Sequence, residues 1–457
     1  MQAIHSKDQL LEFTLSAAGD HQLLGTESEK FGMQGGSADA VSYDGVNCGI
    51  LRFFDGLRDD YGWQEVREFD GGPVIALKRK GAAGRTAMVT LEPGAQLELS
   101  GEAVETVHEV AAETAQHLEE IRKPSEACNV AWLATGYHPI ATRDRLPWVP
   151  KQRYAVMREY FPTRGSRGLD MMQRTATVQV NLDFVDEQDL LRKTRLSLAI
   201  SPIATAIFAN SPFAEGKLHG GRSERAAVWL DADPDRTGLL PFLWRPDARL
   251  IDYVEWALDV PMYLFKRDGK VFANTGQTFR SFWQDGFEGH KPNLGDWESH
   301  VGTCFPEVRI KRTIELRSAD SLPRELLAAL PAFWAGLLYD ETSLAAAEEV
   351  VKRAAITPES AANLRADVAK RALAAELDGA PIRSLAEQLV QAALDGLARR
   401  DRRNAEGQHE GIHLDPIAKL VNQGSSPADV LVQRFEQARG GESPLDDAAQ
   451  IIALTRV

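Results

Sequence analysis

The chain has 457 residues, 44 % apolar and 26 % charged, the profile of a soluble globular protein too long for one ordinary core. At roughly 150 residues per domain it holds two or three folding units, or one large sheet with a helical appendage. Its formal net charge of −14 excludes a non-specific nucleic-acid or anionic-membrane binder, whose footprint would be basic, but not small anions held by a local cationic cluster or a metal ion.

Ser6 and Gln9, just ahead of Leu10 and Leu11, read as a capping box opening a short helix. The opening residues MQAIHSKDQLLEF show no basic stretch leading into an apolar run, so no secretory leader is expected. An extended segment follows at 23–32, then a loop rich in Gly, Ser, Asp and Asn at 35–49, then a helix over 49–61. Residues 74–80 and 87–99 read as strands about a turn at Gly81 to Gly84, and the Pro93–Gly94 pair predicts a bulge or a close backbone approach. Apolar steps of three and four predict a helix from Ala103 to Ile121; His108 on it has apolar neighbours and reads as a structural histidine. Strict alternation predicts a strand at 175–184, then a helix over 187–210 and a Gly- and Asp-rich loop over 213–240. Alternation returns at 307–317, and beyond Tyr339 a shift to Ala, Glu, Leu and Arg predicts an all-helical remainder. No stretch reaches the ~18 consecutive apolar residues of a membrane span. Cys48, Cys128 and Cys304 are far apart, odd in number and in no metal spacing, so a reducing cytoplasmic setting without disulfides is expected.

Four of the extended segments share a property. Residues two apart in a strand lie on one face. That rule puts Glu27 with Glu29, and Gln96 with Glu98 and Ser100. It also puts Thr175, Thr177, Gln179, Asn181 and Asp183 together, and Arg309, Lys311, Glu315 and Arg317 together. A solvated antiparallel face explains any one such strand. Four together, with carboxylates on two, amides on a third and Arg with Glu on the fourth, point to chemistry. Clustered carboxylates repel one another, and Mg²⁺ or Mn²⁺ relieves that cost, most effectively with nucleotide phosphates completing the shell. Arg317 beside Glu315 adds a bidentate donor for a transferring phosphoryl group. There is no GxxxxGK[ST] loop and no GxGxxG, so a nucleotide would need another fold. The basic, Gly-rich stretch 216–225, with Lys217, Arg222 and Arg225, reads either as a solvated loop or as a clamp for a substrate carboxylate.

Seven ordered motifs give these faces a family: GTESEKFG (25–32), LEPGAQLELSG (91–101), GLDMMQRTATVQVNLDF (168–184), PIATAIFANSPF (202–213), ALDVPMY (257–263), FPEVRIKRTIELRSAD (305–320) and LPAFWAGLLYD (330–340). Together they resemble the plant-type glutamate–cysteine ligases and their bacterial members, collinearly from about Leu24 to Asp340. The resemblance implies an α+β, glutamine synthetase-like fold: a curved antiparallel sheet lines the active site, with helices packed behind it. A catalytic domain would span 1–343, with a helical C-terminal region, 344–457, packed on it. The implied reaction is phosphorylation of the glutamate γ-carboxylate by ATP, then attack by the cysteine amine, with Mg²⁺ required. Glu27, Glu29, Glu92, Glu98, Gln179 and Glu315 would ligate metal. Gln96, Asn181 and Arg225 would hold substrate, Arg225 by its α-carboxylate. Arg317 and Lys311 would meet ATP, and Arg317 with Glu315 would be catalytic. The partners implied are glutamate, cysteine and ATP, with no nucleic acid or membrane, in a monomer or homodimer. Ser28 stands where the family commonly has histidine, and Ala95 and Ser318 where it has glycine. Ala176, and Ala328 or Ala329, stand where it has cysteine, which implies that the redox control of plant members is absent. Two other readings stay open: a ligase of the same chemistry with another amine acceptor, and a binding member without turnover.

Overall fold

A computed structural model describes residues 3–35, 39–45, 48–439 and 446–457. Part of the loop expected at 35–49 (36–38, 46 and 47) lies outside the described residues.

One antiparallel sheet organises the chain. Its strands are β1 (Leu24–Gln34), β2 (Gln64–Arg67), β3 (Val74–Lys80), β4 (Thr86–Leu91), β5 (Leu97–Ser100), β6 (Val130–Leu133), β7 (Thr177–Leu182), β8 (Val308–Ile310) and β9 (Ile314–Asp320). The order is β8-β9-β7-β1-β5-β4-β3-β2, with β6 pairing the far end of β1. Two expected single strands are broken. Residues 87–99 form the hairpin β4–β5, because Pro93 and Gly94 with Ala95 in the left-handed region (φ 65°) turn the chain. The expected close approach is there: a Cβ on Gly94 would meet the Gln173 carbonyl oxygen at 2.5 Å. Residues 307–317 form the hairpin β8–β9, which sets Arg309 opposite Glu315.

Behind the sheet lie α1 (Val107–Cys128) and α2 (Glu187–Ile207). A Thr106/Glu109 capping box opens α1, and the helix runs past the expected stop at Ile121. Pro124 is tolerated near the end of α1, where its ring packs within 2.8 Å of the place a Cβ on Gly56 would take. The side of β1 facing these helices is not wholly apolar. Lys30 is buried there, its Nζ 3.3 Å from His117 Nε2 on α1. Burial lowers Lys30 to about 8, while Glu98 and Glu29 pull it back up.

The segment 213–240 is not all loop. It contains α3 (Glu224–Trp229), capped by the Ser223 hydroxyl, which accepts from the Ala226 N–H. From Glu341 onward helices dominate, including Glu341–Arg353, Pro358–Arg371 and Arg383–Arg400. One exception is a hairpin at Glu376–Leu377 and Ala380–Pro381, whose Asp378–Gly379 turn has φ 51° and 80° at its two central residues, as a type I′ turn demands. Among the described residues no helix is long and apolar enough to cross a membrane.

The expectation of unpaired cysteines is overturned: Cys48 and Cys128 form a disulfide. Their Cα atoms are 5.2 Å apart because the C-terminal end of α1 meets the start of the helix Ile50–Tyr61. A separation of 80 residues hides that encounter from the sequence. Cys304 is free and buried.

Candidate functional site

The polar side of the central strands opens into a cavity of about 210 Å³. Register builds it. Glu27 on β1 lies opposite Gln179 on β7, and Glu29 lies opposite Glu98 on β5. Side chains paired this way stand about 5 Å apart. In the sheet order Glu27, Glu29 and Glu98 on β1 and β5 lie to one side of β7, the acidic end, and Arg309 and Arg317 on β8 and β9 lie to the other, the basic end; Glu92, Arg153 and Arg225 also line the cavity.

Arg153 stands 4.0 Å from Glu92, and even so three carboxyls of the acidic end resist ionisation. Burial, then the charges of Glu315 and Glu98, raise Glu27 to about 7. Burial, with Glu92 and Glu98 nearby, holds Glu29 well above the carboxylate range, and Glu98 is also raised by burial and by Glu92. Glu29 accepts the Thr177 N–H at 3.0 Å, and Glu98 accepts the Ser100 hydroxyl. Hard oxygen donors that resist ionisation without a counter-charge match the needs of a divalent cation. Among the described residues, however, no group of three acidic, His or Cys side chains stands in position to hold an ion. The carboxylates share a face and a cavity, and their ligand set is not closed.

The basic end is built on an irregularity. Between Leu316 and Ala319 the register of β9 against β7 shifts, so Arg317 and Ser318 together oppose Gln179. Such a bulge re-aims side chains beside a site. Arg317 meets Gln179 through Nη1, and its guanidinium carbon lies 5.6 Å from the Phe305 ring centroid and 5.9 Å from that of Trp229. Burial and neighbouring Arg309 bring Arg317 down to about 10, still charged at neutral pH.

Glu315 does not line the cavity. It is fully buried, gripped by Arg309 through Nε and through Nη2 at 2.9 Å, with Lys311 Nζ at 3.0 Å. Burial pushes it up, but Arg309, Lys311 and Arg317 outweigh that and hold it well below the carboxylate range. Lys311, its side chain 32 % exposed, does not line the cavity either. Asn181 is placed likewise, donating to Glu27 at 3.3 Å and accepting from Thr313 at 2.9 Å. Gln96 lines the cavity, but its amide is spent on backbone: it accepts from Gly94 N–H and donates to the Met172 and Thr175 carbonyls.

Of the basic stretch 216–225, only Arg225 enters the cavity. Lys217 is exposed, and Arg222 pairs with Asp429. Arg225 donates from Nη2 to the Arg317 carbonyl at 2.8 Å, while its Nε has no protein partner. Trp229, one helical turn on, also lines the cavity, with its indole N–H buried and unpartnered. Recognising Ser223 as a helix cap would have found it, since residues four apart share a helix face. Arg153, Tyr154, Met157, Met171 and Met172 complete the wall from helices that carry no alternation signal.

The sequence profile of Glutamate-cysteine ligase family 2 (GCS2) matches residues 23–447. The chain belongs to that family. Glutamate-cysteine ligase family 2 relatives include the chloroplastic glutamate–cysteine ligase of Medicago truncatula, 41 % identical over 435 residues, covering 94 % of this chain and 82 % of that one. The chloroplastic glutamate–cysteine ligase of Arabidopsis thaliana is 42 % identical over 419 residues, covering 91 % and 77 %. The cytoplasmic location expected from the sequence is overturned by these relatives, which are chloroplastic by name. A crystal structure of glutamate–cysteine ligase from Francisella tularensis in complex with AMP superposes with TM-score 0.54 at 12 % identity, covering 96 % of this chain and 88 % of that one. At that identity the likeness speaks to the fold: an antiparallel sheet with many helices.

Proposed function

We propose that this member of the family joins the γ-carboxylate of glutamate to the amine of cysteine, using ATP and passing through a γ-glutamyl phosphate. The observation that carries the reading is one cavity lined by four carboxylates, Glu27, Glu29, Glu92 and Glu98, and by four arginines, Arg153, Arg225, Arg309 and Arg317. ATP and an acyl phosphate are highly charged, and such a cavity can hold phosphates between a cation and guanidinium groups.

Glu27, Glu29, Glu92, Glu98 and Gln179 would hold Mg²⁺, with Mn²⁺ as the alternative. When bound, the cation supplies charge neutralisation for phosphate oxygens. Arg317 supports the charge that develops on the transferring phosphoryl group. Arg225, with its free Nε, and Trp229, with its free indole N–H, face the cavity as donors for the glutamate α-carboxylate. Met157, Met171 and Met172 offer a soft apolar wall suited to a thiol side chain. Glu315 has both oxygens engaged by Arg309 and Lys311, and we read it as the counter-ion that orients the basic end rather than as a ligand. We read the sheet as glutamine synthetase-like, with 1–343 as the catalytic unit and 344–457 as a helical region against it.

The test is ADP release with Mg²⁺, glutamate and a panel of amines, with products identified by mass spectrometry. Cysteine is expected to give γ-glutamylcysteine, and Arg317→Ala is expected to abolish turnover. Cysteine giving nothing above the hydrolysis background, with another amine consumed, would overturn the choice of acceptor. No ADP release under any substrate mixture would overturn the ligase reading.

A further inference from the structure

The two donor-bearing walls of the basic end come from distant parts of the chain. Arg317 lies on β9, and Arg225 and Trp229 lie on α3, a helix of six residues. Something must fix one against the other, because cavity donors work only when held to within a fraction of an ångström. Asp320 is in position to do this.

The bulge at Arg317 and Ser318 shifts the alternation of β9, so Asp320 pairs with Thr177 and lies on the same sheet face as Arg317. Asp320 is 1 % exposed. Oδ2 accepts the Asn210 N–H at 2.7 Å and the Ser211 hydroxyl at 2.7 Å, and Oδ1 accepts the Ser223 hydroxyl at 2.8 Å. Ser223 is the cap of α3 and accepts the Ala226 N–H at 3.1 Å. Its hydroxyl thus works in both directions, with its proton given to Asp320 and a lone pair to the helix. Ser211 is bridged to the same segment, through Ser211 N–H to the Arg222 carbonyl and Glu224 N–H to the Ser211 carbonyl. The approach is close: a Cβ on Gly136 would lie 2.2 Å from the Asp320 carboxyl carbon. Three hydrogen bonds therefore run from one buried carboxylate on the strand of Arg317 to both segments that seat Arg225 and Trp229.

We propose that Asp320 is a positioning residue for the glutamate subsite, acting through the Ser211 and Ser223 hydroxyls on α3. It touches no reacting atom. Its effect falls on the capture of the α-carboxylate more than on ATP, because its side chain bonds Asn210, Ser211 and Ser223 and not the Arg317 guanidinium. This inference rests on the assignment of Arg225 and Trp229 to glutamate made above. Asp320→Asn keeps the shape but puts an NH₂ or a lost acceptor against one serine hydroxyl, so the cap of α3 loosens.

The experiment is steady-state kinetics of Asp320→Asn, Ser223→Ala, their double variant and Ser223→Thr, with thermal unfolding of each. Asp320→Asn and Ser223→Ala are each expected to raise KM for glutamate about 10-fold or more, as loss of a charged hydrogen bond predicts. KM for ATP is expected to stay within about 2-fold, and the double variant to be no worse than the poorer single one. Ser223→Thr, which keeps the hydroxyl, is expected to restore KM. Equal losses in kcat and in every KM, tracking a fall in Tm, would reduce Asp320 to a structural residue and overturn the proposal. So would an unchanged KM for glutamate. If the unmodified enzyme makes no glutamate-dependent ADP, the proposed function fails first and this inference fails with it.

Discussion

Replacing Glu27 by Gln removes one negative charge from the acidic end of the cavity and leaves the shape nearly unchanged. In the metal-free protein burial, Glu315 and Glu98 lift the Glu27 carboxyl from 4.5 to about 7. The sign follows from linkage. A carboxyl raised in the folded state contributes most below its unfolded value, and that contribution is lost as pH rises through the folded one. Above about pH 7 the folded chain therefore carries an ionised group that it would rather keep neutral. At about 1.4 kcal/mol per pH unit, the lift corresponds to a ceiling of about 3 kcal/mol. With a chelator present, Glu27→Gln should be more stable than the unmodified protein by up to about 3 kcal/mol near pH 8.5, and by under about 1 kcal/mol near pH 5. Urea denaturation at the two pH values reads this directly. Millimolar Mg²⁺ should then stabilise the unmodified protein more than Glu27→Gln, narrowing the gap. A variant no more stable than the parent at the higher pH would refute the claim that burial and its acidic neighbours hold Glu27 up. A gap that Mg²⁺ leaves unchanged would refute its assignment to a cation.

Glu315→Ala should cost about 3–5 kcal/mol in urea denaturation, since it strands Arg309 and Arg317 without their buried partner; a loss under about 1 kcal/mol would contradict the counter-ion reading. Ala95→Gly should stabilise the fold by about 0.5–1 kcal/mol, because Ala95 sits at φ 65°, and a destabilised variant would show that the turn does not strain it. His138 and His300 are both lowered from 6.5 to about 3 by burial, so their stabilisation is full above 6.5 and lost as pH falls from 6.5 toward 3. NMR of the imidazoles should show both neutral at about pH 5, and titration of either above pH 6 would refute the burial argument. Reducing Cys48–Cys128, or Cys48→Ser, should lower stability by about 2–4 kcal/mol through the 80-residue separation it closes, and an unchanged denaturation midpoint would count against the bond.

Much of the acidic end was legible in the sequence because strand alternation is a short-range rule. Glu27 with Glu29, and Gln96 with Glu98, needed only a period of two and a backbone that stays extended. The resemblance motifs fell on the same residues, and the family assignment agrees with them. Alternation could not tell which polar side chains are free. Gln96 and Glu315 carry the right chemistry in the right register, yet one is spent on backbone amides and the other on arginines. Nor could it see Trp229, Arg153 or Tyr154, which reach the cavity from helices whose place is set by packing.

The sequence by itself determined the local order: extended segments, their polar faces, the long helices and the family to which the motifs belong. These depend on contacts a few residues apart and on residue type. The tertiary structure alone decided which faces meet, through a register that sets Glu29 against Glu98 and a bulge that carries Arg317 and Asp320 onto one face. It decided the Cys48–Cys128 disulfide as well, and the burial of Lys30 against His117. The physical reason is common to all of these. Charge state, hydrogen-bond saturation and covalent pairing depend on what lies within a few ångströms in space, and those neighbours come from tens to hundreds of residues away.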